Sequence, residues 1–78
     1  MKFIEFNQIC LGDGDPKNHF PVGKVALDKD NVTTLFQVTD KNNKLIPNVT
    51  VIRDRHGISF ALSHPFDEVK EILETAEF

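Results

Sequence analysis

The apolar residues of this chain change their period at Ser63-His64-Pro65. Upstream, short runs alternate apolar and polar residues and are rich in Val, Ile, Phe and Thr, the mark of strands. Downstream, Phe66, Val69, Ile72, Leu73 and Ala76 fall at helical spacing, with Asp67, Glu68, Glu71 and Glu74 on the other face. Several strands and one amphipathic helix can bury their apolar sides only as two layers. The expected fold is therefore α+β: a small, mostly antiparallel sheet of four to five strands with one C-terminal helix packed on it.

The strands read as follows. Lys2 to Leu11, with Phe3, Ile4, Phe6, Ile9 and Leu11, predicts a first strand buried partly on both faces or bent near Asn7. GDGDPKN at 12–18 is dense in turn formers and predicts a loop. Val22 to Leu27 follows as a second strand, broken by Asp28-Lys29-Asp30-Asn31. VTTLFQVT, Val32 to Thr39, has the clearest alternation and is expected at the sheet centre, with Val32, Thr34, Phe36 and Val38 on one face. DKNNK at 40–44 is a polar turn, and Pro47 is expected to delay the next strand until Val49 to Asp54. Arg55-His56-Gly57 then closes a hairpin into Ile58 to Leu62, with Gly57 suited to a positive φ. For the helix, Ser63 or His64 can supply the cap and Pro65 suits the first turn. Asp67 and Glu68 complement the positive helix N-terminus. Phe66 and Ile72 are expected in the core.

Size and composition narrow the rest. A chain of 78 residues is expected to form one domain, and such a domain buries only about 60–65% of the surface its unfolded chain exposes. With 40% hydrophobic and 27% charged residues it belongs to the ordinary globular class. Its one cysteine, Cys10, cannot form an intramolecular disulfide, and no apolar run approaches the ~20 residues needed to cross a bilayer. MKFIEFNQICL lacks the continuous apolar centre of a signal peptide, so a cytoplasmic location without membrane insertion is expected. The two N-x-T triplets, at Asn31 and Asn48, each open a strand-like run and carry no weight without secretion.

The segment VTVIRDRHGISFALSHPFDEVKEIL resembles the C-terminal half of small bacterial proteins of the flagellar FlbD-like type. In that family a strand, a D-G or N-G turn and a second strand lead into an S-P-E-E-V helix. VALDKDNVTTLFQV is similar to the family's I-N-P-D-x-I-x-x-I segment. The resemblance covers the last two thirds of the chain at the level of pattern. It implies a sheet-plus-helix regulatory or accessory protein without a known active site. The chain departs from the pattern at His64 before Pro65, at His56 before the turn glycine, and in the longer loop at 12–21. Small phage and mobile-element proteins share such simple patterns, so an inhibitor of a host factor is a reading equivalent to the accessory one.

Several residues invite chemical readings. LGDGDPKNHF offers Asp13 and Asp15, but a calcium loop needs further oxygen ligands where Pro16 and Lys17 stand. A phosphate cradle needs a glycine-rich loop opening a helix, whereas this segment leads into a strand. A solvent-exposed turn is expected. Cys10, His19, His56 and His64 are of zinc-binding type but have no short metal spacing. The expected reading is a buried, inert Cys10 and three loop or cap histidines. Ser63 beside His64 lacks a third group to orient a nucleophile and its base. No catalytic, cofactor-binding or metal residue is assigned, no cofactor is expected, and the chain is read as not an enzyme.

Formal charge is −3, and the nine Lys and Arg are dispersed. The chain is therefore expected to act as a noncatalytic protein-binding or regulatory module, self-associating as a homo-oligomer through a sheet edge or the helix. The candidate partner-binding residues are Arg53, Arg55 and His56 at the hairpin and Glu68, Glu71 and Glu74 on the helix. The alternative is a nucleic-acid binder using the 53–56 tip, with phenylalanines stacking bases. Asp54 between the arginines, the absence of Trp and Tyr, and the demand of a small core for the seven Phe argue against it.

Overall fold

The computed structural model describes residues 3–75. Its elements are β1 (Ile4–Cys10), β2 (Phe20–Leu27), a 3₁₀ turn (Lys29–Asn31), β3 (Val32–Thr39), β4 (Leu45–Asp54), β5 (Ser59–Leu62) and α1 (Phe66–Thr75). The five strands form one sheet in the order β2-β1-β5-β4-β3, with every neighbouring pair antiparallel. The fold is the expected α+β arrangement of an antiparallel sheet with one C-terminal helix. Lys2 and Ala76, which the sequence placed in the first strand and the helix, lie outside the described residues.

The position of β3 differs from expectation. Despite its clean alternation it is an edge strand, and the short β5 occupies the centre between β1 and β4. Alternation reports that one face of a strand is wet, and that holds equally for an edge strand. The β3 pattern also breaks once. Val32 pairs with Asp54 and Thr34 with Arg53, leaving Thr33 as a bulge. The bulge turns Val32 onto the same face as Leu35, opposite to Thr34 and Phe36, and both Val32 and Leu35 pack on the main core.

β4 begins earlier than Pro47 seemed to allow, at Leu45. Gln37 pairs with Thr50 and Thr39 with Leu45, so Val38 alone faces the four residues 46–49. Asn48 takes a positive φ of 62° within this distortion. β5 pairs with β4 only over 50–53, so Pro47 lies where one flank of β4 has no partner and its missing N–H costs no ladder bond. The distortion swings Ile46 and Val49 inward, where they are buried with Ile9.

The register assigns each side chain to a face. Leu35, Ile52 and Phe60 form one row on the helix side, Thr50, Leu62 and Gln8 the next, and Phe6 pairs with Val25. Phe6, Ile52, Leu62 and Val69 are the buried centre, with Ile72 and Leu73 of α1 packed against it. Val69, at the middle of the helix stripe, is fully buried, whereas Phe66 and Ile72 flank it and are half-buried.

The helix starts without the expected side-chain cap. Pro65 stands just before the first helical residue, and its carbonyl accepts from Val69 N at 3.1 Å. The His64 ring turns instead toward β1, where Nε2 accepts the Asn7 amide at 3.0 Å.

Candidate interaction surface

The face of the sheet opposite α1 is built by one register row that crosses all five strands. Phe36 pairs with Val51, Val51 with Ala61, Ala61 with Ile9, and Ile9 with Pro21. All five residues are apolar, and directly opposed side chains of an antiparallel sheet share a face. One end of this face is closed by its own small core of Ile9, Ile46 and Val49, against which Leu11 and Val38 pack. The rest lies open. Ile9, Val51 and Ala61 floor a depression of about 450 Å³ walled in part by Leu11, Val22 and Ser59.

Val22 reaches this position through a second bulge. Gln8 pairs with Gly23 and Ile9 with Pro21, so Val22 has no opposite number on β1 and stays 58% exposed. At the far side Phe36 is 38% exposed at the sheet edge. Arg53 occupies the neighbouring row, opposite Thr34 and Ser59. Its guanidinium carbon lies 5.9 Å from the Phe36 ring centroid, and Nε donates to Ser59 Oγ at 3.3 Å. The result is an apolar strip with a cation fixed at its margin by an aromatic ring.

The candidate residues of the hairpin do not act together. Arg53 lies on the open face, whereas Arg55 leaves it: its Nη2 donates to the Asp30 carbonyl at 2.8 Å and its N–H to the Asn31 carbonyl at 2.8 Å. Asp54, between the two arginines in sequence, organises the turn. Its Oδ1 accepts from the amides of His56 and Ile58, each at 2.9 Å, while Gly57 adopts φ 83°. His56 is exposed at the tip.

The acidic helix residues also divide. Glu68 and Glu71 are exposed on one flank, with Glu68 Oε1 3.5 Å from His64 Nδ1. Glu74 lies on the other flank and lines, with Lys29, Lys70 and Leu73, a cleft between α1 and the start of β3.

Two further expectations are corrected and a third is refined. Cys10 is exposed at the end of β1 rather than buried, and its thiol lies 3.7 Å from the Leu11 carbonyl. The described phenylalanines are not mostly core: Phe6 is buried and Phe60 and Phe66 are half-buried, but Phe3, Phe20 and Phe36 are exposed. Phe36 belongs to the face opposite the helix, and Phe20 pairs with Cys10 at the end of the β1–β2 ladder. The loop at 12–18 is a turn as read, but Asp15 is not idle: Oδ1 accepts from Lys17 N at 3.1 Å and from Lys41 N at 3.3 Å, joining this turn to the one at 40–44. Among the described residues, no three His, Cys, Asp or Glu side chains gather as a metal site, and no helix is long and apolar enough to cross a membrane.

The open strip itself was not singled out from the sequence. Its row joins residues 9, 21, 36, 51 and 61, and only the strand order and two bulges bring them into line. The available signal was Phe36 on the alternating face of VTTLFQVT beside the Arg53 hairpin. No protein-family model, no curated protein and no solved structure matches the chain.

Proposed function

We propose that this chain is a small noncatalytic protein-binding module, of regulatory or accessory type, and that it grips its partner with the sheet face opposite α1. The observation that carries the reading is the Phe36-Val51-Ala61-Ile9-Pro21 row with Arg53 at its margin. An apolar strip is favourable to cover, and a single cation beside it rewards an acidic group on the covering segment. The partner segment this chemistry suits is apolar with a nearby carboxylate. Accessory and inhibitor roles use such a face alike, and the FlbD-like pattern of the last two thirds of the chain supports the accessory form. The exposed β2 edge is the surface through which copies of the chain would pair as a homo-oligomer.

The test compares tagged forms of the protein as baits in its native host. The expected result is a partner held by the parent and by Glu68→Lys/Glu71→Lys, and lost with Phe36→Asp or Arg53→Glu while circular dichroism stays unchanged. A partner lost only with the helix charges would move the surface to α1.

One observation favours the nucleic-acid alternative: Arg53 over Phe36 sets a cation and an aromatic ring side by side on a sheet. The engagement of Arg55 with Asp30 removes its companion from that face. We expect no binding to mixed-sequence DNA or RNA at physiological salt, since a phosphate footprint needs several cations acting together. Tight binding that weakens steeply with salt and vanishes in Arg53→Ala would put this alternative first.

A further inference from the structure

The junction between β1, β5 and α1 is held by one histidine in a single tautomer. Ser63 N donates to the Asn7 carbonyl at 2.8 Å, continuing the β1–β5 ladder one step beyond the Gln8–Leu62 pair. In a regular antiparallel pair the Asn7 amide would return the bond to the Ser63 carbonyl. The chain turns away at this point to enter the helix, and His64 Nε2 accepts that amide instead, at 3.0 Å. The ring therefore stands in for a strand carbonyl.

Accepting at Nε2 requires that nitrogen to be bare, which places the proton of the neutral ring on Nδ1. Nδ1 lies 3.5 Å from Glu68 Oε1, one helical turn on. The ring is fixed further by an edge-to-face contact with Phe6, centroids 5.3 Å apart, and its side chain is only 18% exposed. The His64 carbonyl accepts the hydroxyl of the fully buried Thr50 at 2.8 Å. The charged groups around it are Glu68 from α1, with Glu5 of β1 and Lys24 of β2 lining the same small cavity and lying 4.0 Å from each other.

We propose that His64 is a proton-operated latch. The neutral ring fastens the end of β1 through the Asn7 amide, and the protonated ring releases it and is held by Glu68 instead. Protonation puts hydrogen on both ring nitrogens, so Nε2 stops accepting and opposes one N–H to another. The added charge is met at once by the Glu68 carboxylate. Protonation thus gives up the tie between the helix entry and the sheet and strengthens the contact of the ring with the helix, while the rest of the fold keeps its contacts.

The test is NMR of the isotope-labelled protein between pH 8 and pH 5. At pH 8 the ¹⁵N pattern of the His64 ring should show the Nδ1–H tautomer. On protonation of the ring, the exchange protection of the Asn7 amide should fall about tenfold, while the amide of Ile52 in the buried centre keeps its protection. His64→Gln offers a carboxamide oxygen that can accept in the same place and does not titrate, so protection at Asn7 should become independent of pH. An Nε2–H tautomer at pH 8 would overturn the latch. So would Asn7 protection unchanged across the titration of the ring, or lost in step with Ile52 as general unfolding. The titration of the parent protein decides the matter even if His64→Gln does not fold.

Discussion

Arg55 and Asp30 lie twenty-five residues apart and meet where the Arg55 guanidinium donates to the Asp30 carbonyl at 2.8 Å. That bond, with the Arg55 amide on Asn31, ties the β4–β5 hairpin to the 3₁₀ turn that carries the chain from one sheet edge toward the other. The two hairpin arginines should therefore separate in experiment. Arg55→Ala is expected to cost about 1 kcal/mol, the loss of a charge-assisted bond at an exposed site. Arg53→Ala removes an exposed cation–π contact and should cost no more than about 1 kcal/mol. Urea denaturation of both variants checks the order.

The two aspartates of the glycine-rich loop should also diverge. Asp13 is exposed, and Asp13→Ala should fall within about ±0.5 kcal/mol of the parent. Asp15→Ala removes an acceptor shared by Lys17 and Lys41 and should lower stability by about 1 kcal/mol. Thermal melts with and without calcium or magnesium should coincide for the parent. A metal-dependent rise in melting temperature would show that the loop is more than a turn.

In the core, Phe6→Ala should be the most damaging single truncation, at about 3–5 kcal/mol. A domain of this size has only about 4–12 kcal/mol to lose. Ile72→Ala, half-buried at the margin of the helix stripe, should cost less, about 1–2 kcal/mol. Thr50→Val keeps the shape but leaves the His64 carbonyl without the hydroxyl, so about 1 kcal/mol is expected. Equal melting of Phe6→Ala and the parent would mean that the sheet is not packed as described.

Gly12 should tolerate no side chain. A Cβ there would lie 2.1 Å from the Asn18 carbonyl oxygen, a contact that only backbone movement can relieve. Gly12→Ala should therefore open the loop. Enhanced proteolysis between residues 12 and 19, with little change in Gly14→Ala beyond the strain of its φ of 81°, is the expected pattern.

The fold class was legible because the period change at Ser63-His64-Pro65 depends only on neighbouring residues, as do the Gly57 turn and the loop at 12–18. Strand order was not, because it depends on pairings between distant segments: β1 pairs with β5, and nothing local in FNQICL or ISFALS states it. The bulges at Thr33, Val22 and 46–49 were hidden for a related reason. Each is tolerated where an edge or an unpaired flank leaves the backbone room, and edges are known only once the order is. The candidate site suffered most. Arg53 and Arg55 are two residues apart and should share a face in a regular strand, but β4 ends at Asp54 and Arg55 belongs to the turn. The sheet row through Phe36 could be seen only after the bulges had shifted its neighbours.

The β1–β5 ladder has a kinetic side. Its outermost tie joins positions fifty-seven residues apart, Asn7 and His64, so closing it encloses most of the chain. The β3–β4 and β4–β5 hairpins can form from local encounters, but the β1–β2 hairpin has no place to dock until β5 exists. During synthesis the β1–β2 hairpin must wait, with Phe6 and Ile9 uncovered, until β5 has been made. The sheet is thus completed by joining β1 to β5, and the β1–β2 hairpin is the part most exposed to mispairing while it waits.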